Sequence, residues 1–216
     1  MIPSRIILSI GPKYIPPKGG IAQCVYLYRK YIYKDFRYIS NSCDGNKLSK
    51  AITFCYSLIK FRITLLICRE ISIVHIHTAS YNSFRRSARF INLAKKTGRK
   101  VILHIHGGGF KDYYNKEKAF INPVLQKCNA IITLSESWKS FFLNTICIKN
   151  VYVVPNIIES PDINKVTDTL FHLLYMGHIM KPKGIFDLVE LFNEHKNEYS
   201  GKLILDIAGG MYEEKR

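Results

Sequence analysis

Short apolar, β-branched runs alternate with helix-like stretches along most of this chain, and that alternation restricts the fold more than any other feature. The runs fall at residues 5–10, 71–77, 100–106, 130–134 and 151–154, and the helix-like stretches at 21–33, 48–67, 83–96, 116–127 and 135–144. Strands and helices taken in turn need crossover connections, so they build βαβ units and a parallel sheet with helices on both faces. The centres of the runs (Ile6-Ile7-Leu8, Val101-Ile102-Leu103, Ile131-Ile132) are continuously apolar. Strands covered on both faces require that pattern.

After Pro155-Asn156 the composition changes. Residues 159–169 (ESPDINKVTDT) are polar and read as a linker. A second unit follows, with a strand at 172–176, a helix from 184 to 196 and a strand at 202–207. The expected architecture is α/β: a doubly wound, parallel-sheet, Rossmann-like domain over 1–158, a linker over 159–170, and the first βαβ unit of a second Rossmann-like domain over 171–216. A full second domain needs on the order of 100 more residues, so this one is expected to be incomplete.

The balance of 32 basic to 16 acidic residues, formally +16, calls for an anionic partner: nucleic acid, acidic lipid or a phosphorylated small molecule. No recognised nucleic-acid module is present, which sets nucleic acid aside. The six cysteines are scattered without a C-x-x-C pair, and Cys55 and Cys68, lying in apolar runs, are expected to be small buried hydrophobes. The N-terminus lacks the long apolar core of a signal peptide, and Lys60 and Arg62 interrupt the longest apolar stretch, residues 51–68. A reduced, cytoplasmic protein is expected, with the inner face of the cell membrane as a place of peripheral attachment.

Ligands of open parallel sheets sit beyond the C-terminal ends of the strands. After the first run, Pro16-Pro17-Lys18-Gly19-Gly20 opens a helix, where backbone N–H groups can approach an anion. The second run ends in His75-Ile76-His77 and the third in His104-Ile105-His106-Gly107-Gly108-Gly109. Histidines at i and i+2 share a strand face and invite a metal. No carboxylate or cysteine lies in either strand to complete a zinc set, so no metal is expected and His75 and His104 read as structural. His106 differs, because it closes its strand beside three glycines that let backbone come close to a ligand. The H-G-G-G-F stretch also matches the oxyanion loop of one branch of esterases, but no G-x-S-x-G elbow follows it.

Tyr175-Met176-Gly177-His178 running to Lys183-Gly184 resembles the start of the C-terminal domain of group 1 glycosyltransferases (GT-B fold, retaining, sugar-nucleotide dependent), where a strand leads into G-R-x-x-x-x-K-G and a helix. The P-x-x-G-G loop, His106-Gly107, the segment Asn129 to Ser135 and the junction Val153-Val154-Pro155-Asn156 resemble the same family in the same order. The resemblance implies sugar transfer from a nucleotide diphosphate to a glycan or lipid-linked acceptor, without a metal ion or other cofactor. It places Gly19, Gly20, His178 and Lys183 at the donor and His106 near the transferred sugar. His178 stands where the family has arginine, and the family's paired-glutamate motif lies beyond Arg216, so little or no transferase activity is expected. Basic residues of the first domain, with Tyr56 and Phe61 among them, suit an anionic membrane surface. The alternatives are a nonenzymatic remnant or partner-binding protein with a basic face, and an esterase of the HGGG type.

Overall fold

The structure is a computed structural model that describes residues 1, 4–160, 170–199 and 202–210. It forms two compact units, Met1–Glu159 and Ser160–Arg216. Most of the 159–170 segment expected as a linker lies outside the described residues.

The first unit is one six-stranded sheet: β1 (Ile7–Pro12), β2 (Arg37–Ser42), β3 (Ile73–Thr78), β4 (Lys100–Ile105), β5 (Ala130–Thr133) and β6 (Val151–Val153). Spatial order is β2-β1-β3-β4-β5-β6, and every adjacent pair is parallel. The chain leaves β1 toward one edge and returns through β3 toward the other, so β1 and β3 flank the switch point where such sheets open a crevice. Five helices connect the strands: α1 (Gly20–Leu27), α2 (Lys47–Ile67), α3 (Asn82–Lys96), α4 (Phe110–Leu125) and α5 (Glu136–Asn144).

Local chemistry explains the less obvious elements. β2, the edge strand, has the polar sequence RYISNS and among the described residues pairs only with β1, so it carries no apolar run. The start of α4 at Phe110, ahead of the 116–127 expected, reflects a kink at Glu117 (φ −132°) that separates two helical segments. Phe110, Tyr113 and Tyr114 of the first segment are buried and anchor it. α2 begins on a cap in which Asn46 Oδ1 accepts from Ser49 N at 2.8 Å, satisfying an otherwise orphaned donor.

The main core joins one sheet face to the helices through side chains such as Leu8, Ile76, Phe61, Phe90, Leu103 and Phe142. Phe90 is fully buried, edge-on to Phe61 at 5.3 Å and to Phe54 at 6.0 Å. Full burial of one such ring stabilises the fold by about 1.5–3 kcal/mol. Cys55, expected inside, is exposed because it stands on the outer side of α2.

In the second unit β7 (Phe171–Met176) pairs in parallel with β8 (Leu203–Ala208), joined through a 3₁₀ turn at Lys181–Lys183 and α6 (Ile185–His195). The ladder continues past the strands, with Gly177 N donating to Ala208 O at 2.9 Å and Ile179 N to Gly210 O at 3.1 Å. A Cβ on Gly209 would run into the Gly177 carbonyl, so glycine is required there.

Candidate functional site

On β3 the side chains alternate: Val74 and Ile76 enter the main core while His75 and His77 point to the opposite face. β4 repeats the arrangement with Leu103 and Ile105 against His104 and His106. Register places His77 beside His104, so the four imidazoles form a two-by-two block at the C-terminal end of the central strands. Neighbouring ring centroids stand 4.0 Å (His104–His106), 4.3 Å (His75–His77), 5.2 Å (His77–His104) and 5.3 Å (His77–His106) apart.

The end of the first helix covers this block. After Leu27 the helix widens into a π turn over Tyr28–Ile32, closed by Tyr33 N donating to Tyr28 O at 3.0 Å. π turns place an extra residue in the helical circuit and recur at functional sites. Here the turn puts both tyrosines over the imidazoles. The Tyr28 ring lies 5.6 Å from His77, 6.1 Å from His104 and 6.2 Å from His75. Tyr33 Oη hydrogen-bonds His75 Nδ1 at 3.1 Å, and His77 Nδ1 bonds His106 Nε2 at 3.0 Å.

His75, His77 and His104 are buried, whereas His106 is half-buried at the rim. Desolvation disfavours their charged forms. Burial, with the neighbouring His106, lowers His75 from 6.5 to about 3. Burial first, then the other three histidines, puts His77 well below its usual range, and His104 is lowered likewise. Burial lowers His106 to about 4, opposed by the side chain of Asn156, although no hydrogen bond of regular geometry reaches Nδ1. The block is therefore neutral at pH 7. Five ring nitrogens (His75 Nε2, His77 Nε2, both of His104 and His106 Nδ1) are buried without a partner. Neutral imidazole can donate or accept through them.

Among the described residues, two sets of donor atoms lie within 4.8 Å of one another: His75, His77 and His104, and Cys24, His77 and His106. The expectation that no cysteine completes a ligand set considered the two strands alone. Cys24 comes from α1, and burial pushes its thiol up to about 11, so it stands as a neutral thiol.

All β-strand C-terminal ends of a parallel sheet share one edge, so the loop after β1 rises beside the block. Gly19 there has φ +87°, a left-handed value that favours glycine, and both Gly19 and Gly20 are exposed with open space around their Cα atoms. At Gly107 a Cβ would meet Ser80 N at 3.2 Å and Ala79 Cα at 3.3 Å, so the loops after β3 and β4 approach as closely as they do only with glycine.

His178 and Lys183 belong to the second unit. His178 O accepts from Tyr175 Oη at 2.9 Å. Lys183 is exposed at the end of the 3₁₀ turn, followed by left-handed Gly184 (φ +70°) that turns the chain into α6. Sequence reasoning used Asn156 only as a landmark and overlooked Tyr28, Tyr33 and Cys24. The helical period of 21–33 carried no signal for the π turn that aims the two tyrosines.

Glycosyltransferase Family 4 is the family whose model matches this chain, over residues 41–160. That span holds the four histidines and Asn156 and leaves out Gly19, Gly20, His178 and Lys183. No curated protein sequence matches. Among solved structures, the crystal structure of TarM aligns with a TM-score of 0.51 at 17% identity, over 92% of this chain and 32% of that one. That likeness concerns the fold alone, and this chain spans about a third of the other's length.

Proposed function

Since this chain belongs to Glycosyltransferase Family 4, we propose that it serves transfer of a sugar from a nucleotide-diphosphate donor to a glycan or lipid-linked acceptor. The observation that carries this reading is the neutral imidazole block at the switch-point edge of the sheet, with His106 at its rim beside Asn156 and the Gly107 turn. Departure of the nucleotide builds negative charge on the diphosphate while the sugar becomes cation-like. Groups aimed at those atoms lower the barrier most. His106, kept uncharged by burial, hydrogen-bonds the transferred sugar without repelling its developing positive charge. Gly19 and Gly20 present backbone N–H groups to the donor, and Lys183 supplies the cation for its diphosphate. No metal or other cofactor is needed for these roles.

Turnover by these 216 residues alone is expected to be low, since His178 occupies the place of an arginine. Guanidinium is always charged and binds an anion bidentately, which an imidazole cannot do. The protein acts at the cytoplasmic side, at the inner face of the cell membrane.

Binding is the appropriate readout. Saturation-transfer NMR with a panel of nucleotide sugars should find one that binds the full chain. Lys183→Ala should weaken it roughly tenfold to a hundredfold, the worth of a hydrogen bond to a charged group. His106→Ala should abolish transfer of saturation to the sugar protons while sparing the base protons. A panel in which no nucleotide sugar binds, or in which both variants bind like the parent, overturns the proposal.

A further inference from the structure

α2 is apolar on two opposite sides. One side, including Phe54, Leu58, Phe61 and Leu65, packs on the main core. The other carries Leu48, Ile52, Tyr56, Ile59, Ile63 and Leu66, spaced by three or four residues along the whole helix and between 49% and 72% exposed. At 3.6 residues per turn these six form one continuous stripe facing solvent, flanked by Lys60 on one edge and Arg62 on the other. Surface helices of ordinary domains are polar on that side, so this stripe calls for a partner.

The neighbouring helix identifies the partner's charge. α2 and α3 together contain nine Lys and Arg residues and no Asp or Glu. Between them runs a groove of about 320 Å³ with Leu58, Ile59 and Leu93 in its walls and Arg62, Arg89 and Lys96 around it. Among the described residues, Lys60, Arg62, Arg89 and Lys96 form no ion pair. A second copy of the chain would set this all-basic surface against itself, cation facing cation. Nucleic acid would meet the basic residues yet leave the aliphatic stripe without a counterpart. A bilayer containing anionic phospholipid satisfies both.

We infer that α2 and α3 form a membrane-docking face: α2 lies in the plane of the bilayer with Ile52, Ile59 and Ile63 among the acyl chains, while Arg62, Arg89 and Lys96 engage lipid phosphates. Its 21 residues make a helix about 31 Å long, yet no helix among the described residues is long and apolar enough to cross a membrane, so α2 rests on the surface. The inference stands on exposure and charge, and does not depend on any donor being bound.

Flotation of the full chain with phosphatidylcholine vesicles, with and without phosphatidylglycerol, tests it. The parent should float with the anionic vesicles at low salt, bind neutral ones weakly, and lose most of its binding at high salt. Ile59→Asp with Ile63→Asp should abolish flotation. Arg62→Ser with Arg89→Ser should weaken binding to anionic vesicles roughly tenfold or more. Unchanged thermal unfolding of each variant, followed through Trp138, separates lost docking from lost folding. Binding indifferent to lipid charge, absence of flotation, parent-like binding by either double variant, or a dimer that Ile59→Asp dissolves would each overturn the inference. A negative donor-binding experiment would leave it standing.

Discussion

β4 and β7 are both six residues long, both parallel and both largely apolar, yet they live in different surroundings. β4 has a strand on each side and is buried along most of its length, whereas among the described residues β7 pairs only with β8, and of its own residues only Tyr175 is half-buried. Phe171, Leu174 and Met176 stand more than half exposed. An apolar run thus declares a strand but not its burial, which neighbouring strands and helices supply. A two-stranded sheet offers few of either and is marginal in water.

Acid should separate the two units most sharply. The four imidazoles are held below the ordinary histidine range in the folded first unit, to about 3 for His75 and about 4 for His106. The unfolded chain therefore binds more protons once the pH drops below about 6.5. Stability is complete above that value and is lost as pH falls toward the folded values. By about pH 5 each fully buried imidazole withdraws roughly 2 kcal/mol. The single tryptophan, Trp138, lies on α5, so its fluorescence reports the first unit alone. A cooperative change should begin near pH 6. A transition confined to the carboxylate range would break this account. In the second unit the sign reverses at His195, which Glu198 raises, so that contact weakens as pH rises.

Substitution provides a smaller contrast. Phe90→Ala, in a site with no exposure, should cost about 3–5 kcal/mol in the first unit. Leu174→Ala, at a position 62% exposed, should stay within about 0.5 kcal/mol. Chemical denaturation of the two variants compares them directly, and equal costs would mean that β7 is covered in solution. Smallest is Asn46→Ala, which removes the cap of α2 and should cost about 1 kcal/mol in the same measurement.

The parallel sheet was legible because its central strands are continuous apolar runs separated by helical periods. β2 was not, since an edge strand paired on one side tolerates Arg, Ser and Asn and leaves no such run. At the site, the two H-I-H pairs and the glycines after His106 were visible as sequence, and strand alternation alone predicts that each pair shares a face. The side-by-side pairing of His77 with His104 needed the register of β3 on β4, which no local pattern encodes. The exposed side of α2 was legible only in part: Tyr56 lies on it, whereas Phe61, expected with it at a membrane surface, is buried in the main core. Leu and Ile recur all round that helix, and composition cannot say which of its two apolar sides has a partner.

The π turn at Tyr28–Ile32 gives the backbone a part in the site that no side-chain survey would detect. Deleting one residue there would restore an ordinary helical circuit and swing everything after it by about 100°. Tyr33 would then leave His75, and Nδ1 would join the nitrogens already without a partner. The lid over the imidazoles is set by a residue count, so an alanine scan would pass over it and a one-residue length variant would expose it.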